Sequence, residues 1–570
     1  MRTLVDLLSV RAEHLGDAVA FRFLGDGESE TARFTFSGLC SAARRMAAGI
    51  SRRAAPGTRV VLLYPSGLEF VQAFFGVLHA GSIPVAMPPL NAVSAVSADN
   101  DLLVRAVANC DAGMCIVDDS LIDASQRVRL QPGLRALDWA THGELCDEDE
   151  RLWRAPLPDP DALAVLQYTS GSTAAPKGVR ITHRNVLANL EALAQTFGAR
   201  ERRHNIGVSW LPMYHDMGLI GGILLPVFAS SEVVVLSPGH FAARPLRWLQ
   251  AIHRYRANFS GGPNMAYELC VRGVGEHAKS ELDLSCWQAA TNGSEPLRAS
   301  TLLRFARSFA SCGFSMSAFR PCYGLAEASL LVSASRHGPV FISARDRIRI
   351  HDLTEANAED AIVSSGTAGA GVALRVVDPH TGEELADGEI GEVQVAGDSV
   401  SPGYWDAPQA TGKWLSTGDI GFVLLEELFV TSRRKDMIIV GGRNIFPHDV
   451  EECVQLADSR LKVGAGAVFG VKEGNAEALT LVQEVSDFEP ATAEAMCSVL
   501  RGAVFTRFRV PLHRIVFVRA GSVPRTHNGK LRRIACRTLF LDGTLKILHE
   551  SITSAAGRGQ HVPAPRGVQA

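Results

Sequence analysis

A loop rich in hydroxyl groups carries the clearest chemical signal in the sequence. Residues 166–178 read LQYTSGSTAAPKG and directly follow an apolar run that predicts a strand. Backbone N–H groups, hydroxyls and one lysine can together surround the oxygens of a phosphate. The loop differs from a Walker A loop, because Pro176 precedes Lys177 and Gly178 follows it. Phosphate binding is one hypothesis, and composition alone favours the other, an ordinary surface loop.

The order of residues in this loop resembles the phosphate loop of the acyl-adenylate-forming superfamily, which includes acyl-CoA synthetases, peptide-synthetase adenylation domains and luciferases. Six further segments resemble the other motifs of that superfamily and follow its chain order. They are SWLPMYHDMG at 209–218, NGSEP at 292–296, YGLAE at 323–327, STGD at 416–419, SRRKD through GRN at 432–444, and PRTHNGK at 524–530. Six such matches across nearly the whole chain leave little room for chance.

Within the superfamily the sequence is most similar to the fatty acyl-AMP ligases. The similarity extends over LPMYHDMGLIGG, LDLSCWQAATNGSEP and RRKDMIIVGGRNIFPHDVEE. A polar stretch after residue 327 lies where that branch carries an insertion, which in the family restrains the C-terminal domain and disfavours free CoA. The resemblance therefore implies that a fatty acid is activated and passed to an acyl carrier protein or synthase.

The implied reaction joins a carboxylate to the α-phosphate of ATP and expels pyrophosphate. Both reactants are anions, so the site must neutralise charge and align the attack. By its position in the family's lysine loop, Lys530 would bridge the carboxylate and the α-phosphate. Glu327 would hold Mg²⁺, which prefers carboxylate and phosphate oxygens. The resemblance thus implies ATP and Mg²⁺ as cofactors.

The resemblance also assigns residues to the nucleotide. Tyr323 offers a flat face to adenine, Asp419 offers two oxygens to the ribose hydroxyls, and Arg433 adds to the ribose contacts. Lys435 falls at the hinge, where the backbone changes conformation between half-reactions. The remaining implied ATP- and AMP-binding residues are Thr169, Ser170, Gly171, Ser172, Thr173 and Lys177 around the β- and γ-phosphates, with Asn292, Gly293, Ser294 and Gly324 in the adenine-pocket and metal-binding motifs.

His215 receives a gating role rather than proton transfer, because a lone histidine beside apolar residues is more often a satisfied core group. An acyl tunnel needs apolar walls, since each buried methylene contributes about 0.8 kcal/mol. Candidates for its lining are Met213, Met217, Leu219, Ile220 and Met265. Core packing explains each of these residues equally well.

The elements that must position these residues alternate between strand and helix. RVVLLY at 59–64 predicts a strand, 65–67 a turn, and LEFVQAFFGVLHAG a helix, and similar apolar runs recur near 85, 115, 165, 208 and 235. This alternation indicates an α/β fold. The segment 372–395 predicts a hairpin of a small β unit, and MIIVGG, AGAVFGV, ALTLVQEV and HRIVFVR predict strands of a compact α+β unit.

We therefore expect a large N-terminal adenylation domain at 1–434, with a layered α/β core, the family-type insertion at 333–365 and a β-rich subdomain at 366–432. A small mobile α+β domain should follow at 435–553. The segment 554–570 is rich in Ala, Gly and Pro and predicts a disordered tail.

Composition excludes several other classes of protein. The chain is 46% hydrophobic and 21% charged with a formal charge of −3, which fits a globular protein without the field that a nucleic-acid binder needs. Acids in the first residues argue against an export signal, and the apolar stretch 218–236 is too interrupted to cross a bilayer. Eleven scattered cysteines without a CxxC pair suggest reduced thiols and a cytoplasmic location.

The partner and the acceptor leave alternatives open. From 501 to 537 the chain has nine arginines, one lysine and no acid, which could steer an acidic carrier protein or could form a solvated face with ATP contacts. The nearest rival function is an acyl-CoA synthetase, which differs only in its acceptor. A non-catalytic adenylate-binding protein is the rival from another class, although Lys530, Glu327, Asp419 and Lys177 argue against it.

Overall fold

The structure is a computed structural model that describes residues 1–90, 98–169, 176–199, 205–358, 360–407, 412–440, 443–458, 460–461, 464–473, 476–486, 488–525 and 531–553. The chain divides into two compact units, Met1–Thr431 and one that begins at Ser432. The predicted tail at 554–570 lies outside the described residues.

The first unit holds most of the strands. They are β1 (Val19–Leu24), β2 (Glu30–Thr35), β3 (Arg59–Leu63), β4 (Ile83–Met87), β5 (Met114–Val117), β6 (Asp138–Thr141), β7 (Leu163–Thr169), β8 (Lys177–Thr182), β9 (Ile206–Ser209), β10 (Glu232–Leu236), β11 (Phe259–Gly262), β12 (Ala289–Asn292), β13 (Phe319–Gly324), β14 (Leu331–Ala334), β15 (Phe341–Ser343), β16 (Arg349–Ile350), β17 (Ala361–Val363), β18 (Thr367–Ala368), β19 (Val372–Val377), β20 (Gly391–Gly397), β21 (Leu415–Leu424) and β22 (Glu427–Arg433).

The helices of this unit are α1 (Leu4–Leu15), α2 (Phe36–Ser51), α3 (Leu68–His79), α4 (Ala98–Cys110), α5 (Ile122–Val128), α6 (His142–Cys146), α7 (His183–Thr196), α8 (Leu225–Ala229), α9 (Pro238–Ala243), α10 (Leu246–Tyr255), α11 (Asn264–Gly273), α12 (Glu276–Ser280), α13 (Ala299–Ser308) and α14 (Glu355–Ala358). A π-helical segment, Met217–Leu224, runs directly into α8.

Two sheets with parallel cores form the layers of the first unit. One has the order β18-β14-β13-β12-β11-β9-β10-β1-β2, and its strands from β13 to β1 are parallel. β2 pairs antiparallel with β1 at one edge, and at the other side β14 pairs antiparallel with both β13 and the edge strand β18. The other, β4-β3-β5-β6, is parallel throughout. Parallel strands covered by helices explain the nearly continuous apolar runs. The predicted α/β fold is confirmed.

The pair β3 and α3 shows how the sequence produces this core. β3 is buried along its apolar residues, the chain turns at 65–67, and α3 begins after Gly67. Val71, Phe74 and Phe75 recur at helical spacing on α3 and are completely buried. Each such side chain contributes about 1.5–3 kcal/mol by leaving water. The predicted strand, turn and helix are confirmed.

The apolar stretch 218–236 is buried core, as predicted. It comprises most of the π-helical segment, α8 and β10, in which most side chains are shielded from solvent. Among the helices of the described ranges, none combines the length and the hydrophobicity that a membrane crossing requires.

A third, three-stranded sheet of order β16-β15-β17 lies in the predicted insertion region. Phe341 of β15 and Val363 of β17 join the apolar core that includes α13. Ile342 packs instead against Phe422 and Phe429, whose rings stack at 5.1 Å between centroids. The small sheet is therefore fixed to the α/β core on one side and to β21 and β22 on the other.

A four-stranded sheet of order β19-β20-β21-β22 and a two-stranded sheet of β7 and β8 complete the first unit among its described residues. β19 and β20 pair antiparallel from Val372↔Gly397 to Val377↔Glu392, so the predicted hairpin is confirmed.

The second unit is built on the sheet β25-β26-β27-β28. Its elements are β23 (Ile438–Val440), β24 (Arg443–Ile445), α15 (Pro447–Ala457), β25 (Gly466–Glu473), β26 (Ala476–Val485), α16 (Pro490–Phe508), β27 (Leu512–Arg519), α17 (Arg533–Leu541) and β28 (Ile547–Ile552). Helices α15 and α16 pack against sheet residues that alternate along the strands with those that contact α17. Because successive strand residues point to opposite faces, α15 and α16 lie on one face of the sheet and α17 lies on the other. The four predicted strand runs are confirmed.

We expect the protein to lose stability in mild acid because two histidines are buried. Burial lowers the pKa of both His79 and His183 from 6.5 to about 4. Above pH 6.5 both are neutral in the folded and unfolded chain, but below it only the unfolded histidines bind protons. Since one pKa unit is about 1.4 kcal/mol, each should favour unfolding by about 1.4 kcal/mol at pH 5.5. Denaturant titrations at pH 7.5 and 5.5 measure this loss.

A variant of His183 isolates one of the two contributions. The Leu4 amide donates to His183 Nδ1 at 3.2 Å, and a glutamine oxygen could accept the same bond without titrating. His183→Gln should therefore lose about 1.4 kcal/mol less than the parent protein between these two pH values. An unchanged loss in this variant would show that His183 does not contribute.

Candidate nucleotide-binding site

The predicted phosphate loop joins the two strands of a hairpin. β7 ends at Thr169, β8 begins at Lys177, and these two residues are register partners. Leu166 and Val179 are buried and anchor the two strands in the core. Ser170, Gly171, Ser172 and Thr173 lie outside the described residues, so only the two ends of the loop are placed.

The chain at 401–405 extends this hairpin and connects it to the loop of Glu327. The Arg180 amide donates to Gly403 O at 3.0 Å, and the Trp405 amide donates to Gly178 O at 2.8 Å. At the other end of the segment, the Ser401 amide donates to Glu327 O at 2.8 Å. Two predicted motifs far apart in sequence are thus held by one short stretch of backbone.

Side chains make the same connection between Lys177 and Glu327. The Tyr404 hydroxyl donates to Glu327 Oε1 at 2.7 Å, and Lys177 Nζ lies 4.8 Å from the centroid of the Tyr404 ring. Burial, with the nearby Glu327 carboxylate, raises the pKa of the Tyr404 phenol, so the hydroxyl stays protonated and donates. Sequence reasoning placed Lys177 and Glu327 in this site but missed Tyr404.

Glu327 fits the role of a Mg²⁺ ligand in chemistry and position. It follows β13 in a short helical turn, Ala326–Ala328, and is partly exposed. One carboxylate oxygen accepts from Tyr404, and within the described residues no donor bonds to the other. An anionic oxygen near the end of the predicted phosphate loop is the kind of ligand that Mg²⁺ uses together with nucleotide phosphates.

Tyr323 and Asp419 meet although 96 residues separate them. The Tyr323 hydroxyl donates to Asp419 Oδ2 at 2.6 Å, and its ring packs with Val393 and Val395 of β20. Asp419 is 5% exposed, and each of its carboxylate oxygens can accept two hydrogen bonds. The predicted adenine-facing and ribose-binding residues are thus brought together by a hydrogen bond.

A β-bulge presents Asp419. Gln394 pairs with Ser416 and Glu392 with Ile420, so residues 417–419 stand opposite Val393 alone. Gly418 has a φ of +75°, a conformation that favours glycine, and the Asp419 amide donates to Thr417 Oγ1 at 3.1 Å. Bulges of this kind aim a side chain away from the regular pleat and are frequent beside active sites.

The predicted adenine-pocket residues Asn292, Gly293 and Ser294 lie at and just after the end of β12, where Asn292 is the register partner of Pro321 in β13. Asn292 is fully buried, donates weakly to Gly262 O at 3.4 Å, and its Oδ1 accepts no hydrogen bond from the described residues. Gly324 approaches the next turn so closely that a Cβ would lie 1.8 Å from Leu330 O. Carboxyl ends of parallel strands are the usual ligand site of open α/β sheets.

His215 lies beside Asp216, with Nδ1 2.6 Å from Asp216 Oδ1, and the Met217 amide donates to the same carboxylate oxygen at 2.7 Å. The π-helical segment begins at this point, and such segments occur frequently at functional sites. Gln167 of β7 donates to Tyr214 O at 2.8 Å and ties the predicted gating motif to the phosphate-loop hairpin. The gating role of His215 remains a prediction.

Gln167 is a second residue that sequence reasoning missed. It is 3% exposed, and its buried Oε1 accepts no hydrogen bond in the described part of the chain. An unpaired buried amide oxygen is costly, which marks the residue as a candidate for ligand contact. The available signal was an amide side chain directly after the apolar run LAVL, within the predicted strand.

The predicted tunnel residues do not form one group. Met213, Leu219 and Ile220 are buried in the main core cluster, whereas Met265 of α11 is 40% exposed. Met217 is partly buried at the start of the π-helical segment. Core packing and tunnel lining therefore both remain open for the buried members, and the substrate role of Met265 stays a prediction.

The site residues of the second unit are placed only in part. Arg433 ends β22 and Lys435 follows in a turn, both exposed. Lys530 and the rest of its loop from 526 lie outside the described residues. Their predicted roles at the ribose, the hinge and the reacting carboxylate remain predictions.

Comparison with known proteins identifies the family. Residues 8–405 match the family model described as AMP-binding enzyme, which is well over half of the chain. The chain belongs to the AMP-binding enzyme family. Residues 435–550 of this AMP-binding enzyme also match the family model described as Disco-interacting protein 2-like, AMP domain.

Relatives of this AMP-binding enzyme extend the comparison over nearly the full chain. The medium-chain-fatty-acid–[acyl-carrier-protein] ligase JamA of Moorena producens is 34% identical over 95% of this chain and 96% of its own. The long-chain-fatty-acid–AMP ligase FadD32 of Mycolicibacterium smegmatis is 31% identical over 93% of both chains. The predicted resemblance to fatty acyl-AMP ligases is confirmed.

Solved structures agree with the fold. A structure from studies of fatty acyl-adenylate ligases of E. coli and L. pneumophila has a TM-score of 0.85 and 31% sequence identity, covering 95% of this chain and 98% of its own. The predicted architecture of a large adenylate-forming α/β domain followed by a smaller C-terminal domain is confirmed by this match.

Proposed function

We propose that this AMP-binding enzyme is a fatty acyl-AMP ligase that supplies an acyl carrier protein. A carboxylate oxygen of a fatty or related acid attacks the α-phosphorus of ATP, and the bond to the β-phosphate breaks to release pyrophosphate. The carrier's phosphopantetheine thiolate then attacks the acyl carbonyl carbon, and the bond to AMP breaks. The observation that best supports adenylation is the connection of Lys177, Tyr404 and Glu327 at the predicted phosphate loop.

The described residues can bind and orient a nucleotide. Asp419 can accept hydrogen bonds from ribose hydroxyls, while Tyr323 holds the carboxylate in place. Lys177 supplies positive charge at the end of the loop that would surround the β- and γ-phosphates. Lys530 would neutralise charge between the carboxylate and the α-phosphate. Alignment and charge neutralisation are the two requirements for a reaction between anions.

Glu327 would hold Mg²⁺, with Tyr404 orienting its carboxylate. The bound ion would offset the negative charge of the phosphates. We also expect the cytoplasmic location that the unpaired cysteine pattern suggests.

The insertion supports a carrier protein as acceptor rather than free CoA. Its small sheet contacts β21 and β22 through Ile342, and the Ser365 amide donates to Leu428 O at 2.7 Å. The Leu428 amide in turn donates to Gly366 O at 2.9 Å. These contacts attach the predicted insertion and the residue that follows it to β21 and β22 within the first unit. In the family that the sequence resembles, an insertion at this place disfavours free CoA, and this resemblance favours the acyl-AMP ligase over the acyl-CoA synthetase.

The basic segment at 501–537 gives less support, because its charges do not form one surface. Arg514 pairs with Glu550 at 2.8 Å, and Arg533 pairs with Glu451 at 2.7 Å. The exposed Arg509 follows α16 and Arg532 precedes α17, and these helices pack on opposite faces of the sheet. Internal ion pairs therefore account for part of the charge that suggested steering of an acidic carrier.

Product analysis tests the proposed function. The purified protein is given ATP, Mg²⁺ and a panel of fatty and aryl-substituted acids, with free CoA in one arm and a phosphopantetheinylated carrier protein in the other. Mass spectrometry should detect acyl-AMP and acyl-carrier protein, with little acyl-CoA. The acid with the highest yield defines the chain preference.

Each alternative gives a different product pattern. Abundant acyl-CoA would identify an acyl-CoA synthetase instead. Nucleotide binding without adenylate formation from any acid would support the non-catalytic adenylate-binding protein.

A further inference from the structure

Tyr404 belongs to a segment that none of the predicted motifs includes. The sequence at 401–406 reads SPGYWD and lies between the two halves of the β-rich sheet, after β20 and before β21. Tyr404 contacts two parts of the chain that are distant in sequence. Glu327 precedes it by more than seventy positions, and β8 precedes it by more than two hundred. Such long-range contacts suggest a role at the site rather than in the local loop.

Backbone bonds fix Tyr404 between the two motifs. Tyr404 and Val179 form an antiparallel bridge, flanked by the hydrogen bonds of Gly403 and Trp405 to β8. The Ser401 amide fixes the start of the segment to Glu327 O. The backbone position of Tyr404 is therefore set by β8 and by the loop of Glu327 together.

The side chain contacts one acidic and one basic group without neutralising either. Its hydroxyl donates to Glu327 Oε1 at 2.7 Å, and its ring face lies 4.8 Å from Lys177 Nζ. A neutral donor orients a carboxylate and leaves its negative charge available to a cation. A cation–π contact likewise orients an ammonium group and leaves its positive charge available to phosphate.

We propose that Tyr404 is a positioning residue that sets Glu327 and Lys177 together, so that metal binding and phosphate binding at this site are coupled. The proposal rests on the proposed function, because it assigns the metal to Glu327 and the phosphates to Lys177. A lysine or arginine at 404 would pair with Glu327 and repel Lys177, whereas a tyrosine satisfies both contacts.

Two substitutions separate the two contacts. Tyr404→Phe keeps the ring over Lys177 and removes the hydrogen bond to Glu327. We expect it to raise the Mg²⁺ concentration for half-maximal adenylation at least about tenfold, since bonds to charged groups are the stronger class. At saturating Mg²⁺ its kcat should stay within about threefold of the parent value. Tyr404→Leu removes both contacts.

Calorimetric titration with ATP supplies a readout that does not depend on turnover. With EDTA present, Tyr404→Phe should bind ATP within about twofold of the parent, and Tyr404→Leu should bind it roughly threefold to tenfold more weakly, since only the latter loses the cation–π contact. The parent protein should bind ATP more tightly with Mg²⁺ than with EDTA. This Mg²⁺-dependent gain in ATP affinity should be largely lost in both variants. Tyr64→Phe, which removes the hydrogen bond at 3.1 Å between a tyrosine outside the site and His142, is the matched control.

The outcomes distinguish this proposal from the proposed function. If the parent protein binds MgATP and Tyr404→Phe shows the same gain with Mg²⁺, the positioning role is wrong while adenylation stands. If Tyr404→Phe weakens ATP binding equally with EDTA and with Mg²⁺, Tyr404 has only a structural role. If the parent protein neither binds ATP nor forms adenylate, the proposed function itself fails. Thermal melting of each variant confirms that it is folded.

Discussion

Lys530→Ala is expected to slow acyl-adenylate formation at least a hundredfold while ATP binding changes much less. In the transition state negative charge accumulates where the carboxylate meets the α-phosphate, and the family resemblance assigns Lys530 to that point. Removing a stabiliser of developing charge typically costs on the order of a hundred- to a thousandfold in rate. Because we assign binding of the ground-state nucleotide to Asp419 and Lys177, the loss should fall on kcat more than on binding.

The measurement is pyrophosphate release in single turnovers, with ATP affinity determined separately by calorimetry. Lys546→Ala provides the control, because Lys546 is an exposed lysine of the same unit outside every predicted motif. Near-normal adenylation by Lys530→Ala would remove the central catalytic assignment. An equal loss in both variants would indicate damage to the unit rather than to the reaction.

Much of the fold could be predicted because its signals are local. The β-branched run of β3, the turn at 65–67 and the helical spacing of Val71, Phe74 and Phe75 all lie within one short window. Short elements gave no such signal. β16 and β17 of the insertion depend on pairing with β15. Each has so few apolar residues that its sequence cannot be distinguished from that of a loop.

The sequence names candidate site residues wherever a motif carries its own chemistry, but it does not name those whose chemistry arises from tertiary contact. STGD at 416–419 named Asp419, yet the bulge that presents it depends on pairing with β20. Tyr404 joins Glu327 and Lys177 only after β8 and the segment 401–405 become neighbours. The sequence of the π-helical segment is similarly that of an ordinary apolar helix. Hydrophobicity does not determine whether a backbone amide bonds to the carbonyl four or five residues before it.

Asp419→Ala should lower kcat/KM for ATP by on the order of a hundredfold to ten-thousandfold. Two charge-assisted bonds to the ribose hydroxyls at about 1.5–3 kcal/mol each account for that range. Tyr323→Phe, which removes the 2.6 Å hydrogen bond to Asp419, should have a much smaller effect because the Asp419 carboxylate that we assign to the ribose is retained. Asp387→Ala, at an exposed carboxylate of the same β-rich region, should leave kcat/KM unchanged. Steady-state kinetics with ATP and with 2′- or 3′-deoxy-ATP decide the assignment. If Asp419 binds the ribose, the parent enzyme should have a lower kcat/KM for the deoxy nucleotides than for ATP. With the deoxy nucleotides, Asp419→Ala should then lower kcat/KM little further.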